Sequence, residues 1–158
     1  MLALLFYLGD VMHTIACERV REIVPMMTLR AVSHAPDFFA GFFSYRGGIV
    51  PVIDLRRLVQ GKPCHMRLST RIILADYAGA GHPNFLLGLM AERVTETIRI
   101  PAHEVVPPPL TLADTPYLGG IVMVSGEMIQ HLELDRLPDC IGCLPAAEKG
   151  CGHASCDH

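Results

Sequence analysis

The amino-acid sequence predicts a mainly β protein arranged as two small barrel-like halves. Short apolar runs alternate with turn signals along its 158 residues, which is the pattern of sandwiches and barrels. No segment keeps apolar residues at positions i, i+3, i+4 and i+7 for three helical turns. Twelve prolines and fourteen glycines favour many short connections over long helices.

The first predicted strands form two hairpins with an extended piece between them. Gly9-Asp10 is the turn of the first hairpin, and Pro25 ends the extended piece. The turn of the second hairpin is Arg46-Gly47-Gly48, whose glycines can supply the positive φ angles of a tight turn. These predicted strands are residues 4–8, 12–16, 20–24, 39–45 and 49–55.

The rest of the chain continues the β pattern with little helix. A short helix is expected at residues 55–60, where Gly61 ends it. A boundary between the two halves is expected at residues 61–69. The remaining predicted strands are residues 71–77, 85–90, 94–100, 121–124 and 128–132.

The composition excludes several classes of protein. Hydrophobic residues make up 51% of the chain and charged residues 18%, so one folded domain is expected and extensive disorder is not. A formal net charge of -3, no basic run and no tryptophan argue against nucleic-acid binding. The apolar residues 1–8 lack the positive n-region and cleavage site of a signal peptide, and no run reaches the about 20 residues of a membrane helix. A cytoplasmic location is therefore predicted.

Catalytic motifs are absent from the sequence. It has no P-loop, no Gly-x-Ser-x-Gly nucleophile elbow and no His-Glu-x-x-His zinc motif. The carboxylates stand singly, and Asp54, Asp76, Glu92 and Glu96 are expected to be turn caps or solvated side chains near strand ends and turns. The histidines of the body are also scattered, which favours surface or hydrogen-bonded side chains over metal ligation. No enzyme activity is predicted.

The character of the chain changes near Pro138. Residues 1–138 are predicted to form one domain, and residues 139–158 a flexible tail rich in Cys and His. Cys-x-x-Cys spacing suits zinc, but the seven residues between the two groups are fewer than the about 12–20 of common zinc modules. Accessible thiols without a metal are the alternative, and no cofactor is predicted for the domain itself. The candidate ligands in the tail are Cys140, Cys143, Cys151, His153 and Cys156.

The centre of the sequence carries a connected motif: Pro36, Phe38-Phe39, Gly41, Arg46-Gly47, Val50-Pro51-Val52 and Asp54-Leu55. This motif resembles the signature of the CheW family. Shorter matches occur at Arg93-Val94-Thr95-Glu96 and at Tyr117-Leu118-Gly119, and the resemblance spans residues 3–138. Leu68-Ser69-Thr70-Arg71 also looks like adaptors of the Wsp-type surface-sensing subgroup.

The resemblance implies a fold of two five-stranded, SH3-like β-barrels packed on a shared hydrophobic core, with a few short helices. It also implies a non-enzymatic scaffold that couples methyl-accepting chemotaxis receptors to a CheA-type histidine kinase at membrane-associated arrays. The implied partners are the receptor signalling tip and the kinase regulatory domain, with no nucleic acid and no membrane insertion. A metal- or redox-responsive adaptor, gated by the Cys/His tail, is the alternative.

The same resemblance assigns partner binding to Glu22, Tyr45, Arg46 and Gly47. Arg46 lies on a predicted turn, from which it can reach a carboxylate, and the family match makes Glu22 the expected one. Such an ion pair either braces the fold or contacts a partner, and Gly47 is expected to serve the backbone. Residues 12–16 are more polar than the family's usual apolar triplet, which suggests an altered sheet edge. The aromatic side chains expected in the core are Phe38, Phe39, Phe42 and Phe43.

Overall fold

The computed structural model describes residues 1–78, 84–107 and 115–137. These residues form nine strands, one α-helix and three single 3-10 turns, so the prediction of a mainly β protein is confirmed. The strands are β1 (Leu2–Leu8), β2 (Val11–Ala16), β3 (Val20–Pro25), β4 (Phe39–Tyr45), β5 (Gly48–Asp54), β6 (Arg71–Tyr77), β7 (Phe85–Arg99), β8 (Leu118–Val124) and β9 (Glu127–Leu132). The helix is α1 (Leu55–Gln60), and the 3-10 turns are Cys17–Arg19, Ala102–Glu104 and Leu134–Arg136.

The strands form two five-stranded halves that share β7. In the first half the order is β4-β5-β7-β6-β3, and in the second half it is β7-β1-β2-β9-β8. Sharing is possible because β7 has 15 residues. Its first part pairs with β5 and β6, and its second part pairs with β1. This architecture agrees with the expected pair of five-stranded, SH3-like halves.

Two details of the predicted organisation are wrong. Residues 85–90 and 94–99 belong to one strand, because the chain passes through Arg93 in a left-handed conformation (φ 45°) without leaving the sheet. The boundary expected at residues 61–69 does not separate the halves either. Strands β1 and β2 lie in the second half, where β2 pairs with β9. The second half therefore takes strands from both ends of the described chain.

The short helix α1 follows β5 directly because Asp54 caps it. The Asp54 Oδ1 atom accepts a hydrogen bond from the Arg57 amide at 3.0 Å, which satisfies one of the free amides of the first turn. Gly61 ends the helix in a left-handed conformation (φ 77°), and its amide donates to the Arg57 carbonyl. The predicted helix and its terminating glycine are confirmed.

One hydrophobic core extends across both halves. It combines Leu4, Phe6 and Leu8 of β1 with Ile73 of β6 and Leu89 of β7, and these side chains have almost no exposed surface. Burying an apolar side chain of this size contributes about 1.5–3 kcal/mol to folding. Because β1 belongs to the second half and β6 to the first, this packing joins the halves in addition to the shared strand.

A polar seam lies between β2 and β9, where the two strands run parallel. His13 and Thr14 of β2 are 2% and 0% exposed. The Thr14 hydroxyl lies 3.0 Å from Nδ1 of His131, and Nδ1 of His13 lies 3.2 Å from the Val11 carbonyl. The sequence suggested that the polar residues 12–16 form an altered sheet edge, but in the structure they do not lie at an edge. Strand β2 lies inside the sheet between β1 and β9, and its residues His13, Thr14 and Ile15 are buried.

Burial of these histidines predicts a loss of stability in mild acid. It lowers the pKa of His13 to about 4, against the opposing effect of the Val11 carbonyl, and it also lowers the pKa of His131. Below about pH 6.5 the unfolded chain therefore binds protons that the folded chain does not. Between about pH 7.5 and about pH 5, His13 becomes protonated in the unfolded chain but stays neutral in the folded chain. We expect this difference to remove about 2 kcal/mol from the free energy of unfolding.

Urea unfolding curves of the wild type and of His13→Gln at these two pH values test this prediction. The variant is expected to be less stable than the wild type at the higher pH, but to lose about 2 kcal/mol less on acidification. His103→Gln changes an exposed histidine in a 3-10 turn, and this control should keep the wild-type pH dependence. Equal losses in the wild type and in His13→Gln would contradict the assignment.

Candidate partner-binding surface

The turn between β4 and β5 presents Arg46 to solvent. Tyr45 and Gly48 pair across it, so Arg46 and Gly47 form a two-residue loop. Both have positive φ angles, 50° and 84°, as a type I′ hairpin turn requires. A Cβ atom on Gly47 would meet no atom within 4 Å, so this glycine serves the backbone angle and not a close contact. The expected backbone role of Gly47 is confirmed.

Three of the predicted site residues meet in what we call the Glu22–Tyr45–Arg46 cluster. The Tyr45 hydroxyl donates a hydrogen bond to Glu22 Oε1, and Arg46 Nη2 lies 3.3 Å from the same oxygen. The Arg46 guanidinium also lies over the Tyr45 ring, 5.1 Å from its centroid. The hydrogen bond to Glu22 raises the pKa of Tyr45, so the hydroxyl stays protonated as the donor. The expected ion pair between Arg46 and Glu22 is present.

The cluster connects the two outermost strands of the first half. Glu22 lies on β3 and Tyr45 lies on β4, which are the outermost strands of the order β4-β5-β7-β6-β3. Within the described residues no ladder pairs β3 with β4, so side chains and not backbone hydrogen bonds link these strands here. In the part of the chain that the structure describes, β3 is therefore paired along its β6 side alone.

The Glu22–Tyr45–Arg46 cluster is open to solvent. The Arg46 side chain is 75% exposed and that of Glu22 is 40% exposed. Ile23 and Ile49 are also exposed, at 38% and 62%, but the alternation along β3 and β5 places them on the opposite face of the sheet from Glu22 and Tyr45. The cluster itself is an exposed set of polar and charged groups held in fixed positions, and such groups supply register in a protein contact.

The phenylalanine run in and before β4 belongs to the core, as expected. Phe39 and Phe43 are buried, and Phe38 and Phe42 pack partly buried against the main core cluster. The rings of Phe39 and Phe42 meet edge to face, with their centroids 4.8 Å apart. These aromatic side chains pack β4 against the core, so the exposed groups at this end of β4 are those of the turn that follows it.

A second polar site, which the sequence analysis missed, lies on β7. Glu92 accepts hydrogen bonds from the Gly9 amide at 2.9 Å, the His65 amide at 2.6 Å and Nη1 of Arg56 at 3.1 Å. Burial by itself raises the pKa of Glu92, but these three donors together lower it below its usual value. Of the two expected roles, turn cap or solvated side chain, the second is wrong for Glu92, which is 7% exposed and whose donors compensate the cost of burial. Its hydrogen bond from the Gly9 amide corresponds to the first role. The available signal was a single charge after the apolar residues 85–91.

The other isolated carboxylates behave as expected. Asp54 caps α1, Asp76 forms an exposed ion pair with Arg21 near the end of β6, and Glu96 is exposed on β7. Among the residues described, no helix has the length and apolar character needed to cross a membrane. The tail, residues 139–158, lies outside the described residues, so its boundary and flexibility stay predictions. The same holds for its candidate ligands Cys140, Cys143, Cys151, His153 and Cys156.

The sequence and architecture connect this chain with known proteins. The family model of the CheW-like domain matches residues 2–139. The chain belongs to the CheW-like family. This CheW-like chain is 29% identical to protein FrzA of Myxococcus xanthus, over 84% of this chain and 81% of FrzA. It is 31% identical to the chemotaxis protein CheW of Helicobacter pylori, over 84% of this chain and 78% of that protein.

A solved structure agrees with this assignment. The crystal structure of the scaffolding protein TtCheW from Thermoanaerobacter tengcongensis matches with a TM-score of 0.74 and 26% sequence identity, over 84% of each chain. The fold implied by the sequence resemblance is therefore confirmed. The CheW-like chain is a chemotaxis adaptor and not an enzyme, as the sequence predicted. Its membership of the Wsp-type subgroup stays a prediction.

Proposed function

We propose that this chain couples methyl-accepting chemotaxis receptors to a CheA-type histidine kinase at cytoplasmic, membrane-associated receptor arrays. The observation that carries the proposal is the exposed Glu22–Tyr45–Arg46 cluster on a CheW-like fold. In this proposal binding is the whole activity of the protein. Signal passes because the adaptor has different affinities for different receptor states, and the kinase responds to that difference.

The exposure of the cluster supports partner contact over a bracing role. Exposed ion pairs contribute about 0.2–1 kcal/mol to stability, because solvent screens them and their side chains lose entropy. A partner that covered Arg46 would remove this screening and strengthen the charge interaction. The contact with the Tyr45 ring already orients the guanidinium, so less conformational freedom is lost on binding.

The position of the cluster supports docking of the kinase regulatory domain along β3. Strand β3 pairs with β6 on one side and has no second partner strand among the described residues. Such an edge offers unpaired backbone amides and carbonyls to a partner strand. Glu22 and Ile23 lie on this strand and would fix the register of the docked domain.

Binding measurements with an Arg46→Glu variant test the proposal. The partners are the regulatory domain of the organism's own CheA-type kinase and the signalling domain of its receptor, each immobilised separately. We expect Arg46→Glu to weaken kinase binding by about 10–100-fold, because the new carboxylate repels Glu22 and the groups that Arg46 would meet. Arg99→Glu reverses an exposed charge on β7 and is the matched control.

The outcomes separate the anchor from the function. Weakened binding by folded Arg46→Glu, with unchanged binding by Arg99→Glu, supports both. If the kinase bound Arg46→Glu as tightly as it binds the wild type, the cluster would not be the anchor. If folded wild-type protein bound neither partner, the coupling function itself would be overturned.

A further inference from the structure

A cleft of about 160 Å³ lies where the two halves meet. The Gly9-Asp10 turn of the second half forms one part of its lining, and Glu92 and Arg93 of the shared strand β7 form another. The remaining lining residues come from α1 and the loop that follows it, and they are Arg56, His65, Arg67 and Ser69. Three arginines thus surround one small space in a chain whose net charge is -3.

The acidic groups of the cleft do not cancel this positive charge. Glu92 already accepts hydrogen bonds from the Gly9 amide, the His65 amide and Arg56, which occupy three of its about four lone-pair sites. Asp10 is fully exposed, and its carboxylate lies 3.7 Å from Arg93. Solvent screens such a contact strongly. Three arginines against two carboxylates leave the lining with one net positive charge, which favours anions over cations.

Several hydrogen-bond donors of the cleft remain available. Arg56 uses Nη1 for Glu92 and Nε for Gln60, but its Nη2 atom has no hydrogen-bond partner among the described residues. Every fully buried side-chain nitrogen or oxygen there does have a partner, so Nη2 is not fully buried, and Arg56 is one of the residues that line the cleft. The exposed guanidinium of Arg67 forms no ion pair within the described part of the chain. The His65 ring and the Ser69 hydroxyl add further donors.

Arg93 is held at the rim of the cleft. Its guanidinium lies 4.0 Å from the centroid of the Tyr7 ring and donates a hydrogen bond to the Gly9 carbonyl at 3.1 Å. Its backbone is left-handed (φ 45°), which costs a residue with a Cβ atom about 1–2 kcal/mol. Strained residues of this kind concentrate at ligand sites, where the strain places a side chain that the ligand needs.

We propose that this cleft binds a small oxyanion of the phosphate class. Three guanidinium groups, an imidazole and a hydroxyl offer more donors than the about four lone-pair sites of one carboxylate can accept. Phosphate presents three or four charged or polar oxygens, and the planar guanidinium fork matches them. The volume is below the about 300 Å³ of drug-sized ligand pockets, which suits a free ion or one terminal phosphate group. This site lies outside the Glu22–Tyr45–Arg46 cluster and goes beyond the coupling function.

Calorimetric titration of the full chain with inorganic phosphate, at ionic strength held constant with chloride, tests the proposal. We expect saturable binding by the wild type and about tenfold or weaker binding by Arg67→Ala and by Arg93→Gly. Glycine is chosen at position 93 because it accepts the left-handed backbone without strain. Arg99→Ala removes an exposed arginine of β7 outside the cleft, and this control should bind phosphate like the wild type.

Two further titrants identify the source of the oxyanion. Equal binding of glycerol phosphate would support recognition of a terminal phosphate group, and binding of inorganic phosphate alone would support a site for the free ion. Tighter binding of glutarate than of phosphate would overturn the phosphate assignment in favour of a carboxylate site. Absence of saturable binding, or equal binding by all four proteins, would overturn the site itself. None of these results depends on the kinase or the receptor, so they leave the proposed function to its own test.

Discussion

Replacing Glu92 with alanine is expected to lower the free energy of unfolding by about 3–5 kcal/mol, because it leaves a largely buried charge without its partner. The Arg56 side chain is only 14% exposed and would lose its carboxylate. The amides of Gly9 and His65 would lose their acceptor at the same time. Since these two amides belong to different halves, the loss affects the junction between them.

Urea unfolding curves measure this effect, with Glu96→Ala as the control. Glu96 lies on the same strand but is exposed, so its replacement should change the free energy of unfolding by no more than about 0.5 kcal/mol. The double variant Arg56→Met/Glu92→Leu removes both charges and should be more stable than Glu92→Ala, because no buried charge is left unpaired. If Glu92→Ala and Glu96→Ala had the same small effect, Glu92 would not be the brace that its contacts indicate.

Replacing Gly41 with alanine is expected to lower the free energy of unfolding by about 3 kcal/mol or more, through steric overlap in addition to backbone strain. Gly41 has a φ of 141°, and a Cβ atom there would lie 2.7 Å from the Arg30 carbonyl oxygen. That backbone cannot move aside cheaply, because Arg30 and Phe42 exchange two hydrogen bonds of 2.8 and 3.0 Å. The segment through Arg30 would have to leave β4 to make room.

Gly47→Ala is the matched control for this substitution. Gly47 also has a positive φ, 84°, but a Cβ atom there would meet nothing within 4 Å. Its replacement should therefore cost only the conformational strain, about 1–2 kcal/mol. The difference between the two variants in urea unfolding measures the steric part. Equal losses would show that the Arg30 segment yields to the new methyl group.

The sequence was sufficient for the local elements. The hairpin at Gly47 and the helix between Asp54 and Gly61 were predicted because glycine conformations and helix caps act within a few residues. The continuity of β7 was not predicted, since the left-handed residue within it is Arg93, which carries no turn signal of its own. The sharing of β7 between halves depends on pairing between distant parts of the chain, which no local pattern encodes.

One of the two polar sites was predicted from the sequence and the other was not. Glu22 and Arg46 were paired through the family resemblance, and the structure shows that ion pair. The contacts of Glu92 join the amides of Gly9 and His65, which are 83 and 27 positions away in the sequence. Neither amide has a sequence signal, because every residue except proline carries one. The buried contact between the Thr14 hydroxyl and the His131 ring was missed because these residues are 117 positions apart and meet only through the pairing of β2 with β9.

The shared strand β7 has a mechanical consequence for an adaptor. Two-domain proteins usually connect their domains by a flexible linker, which lets one domain move without displacing the other. Here the central strand of the first half, β7, continues as a strand of the second half and pairs with neighbouring strands in both. A displacement of one half therefore acts on a strand that is also part of the other half. For an adaptor, this means that a partner bound to one half is connected to the other half through backbone hydrogen bonds and not through a flexible linker.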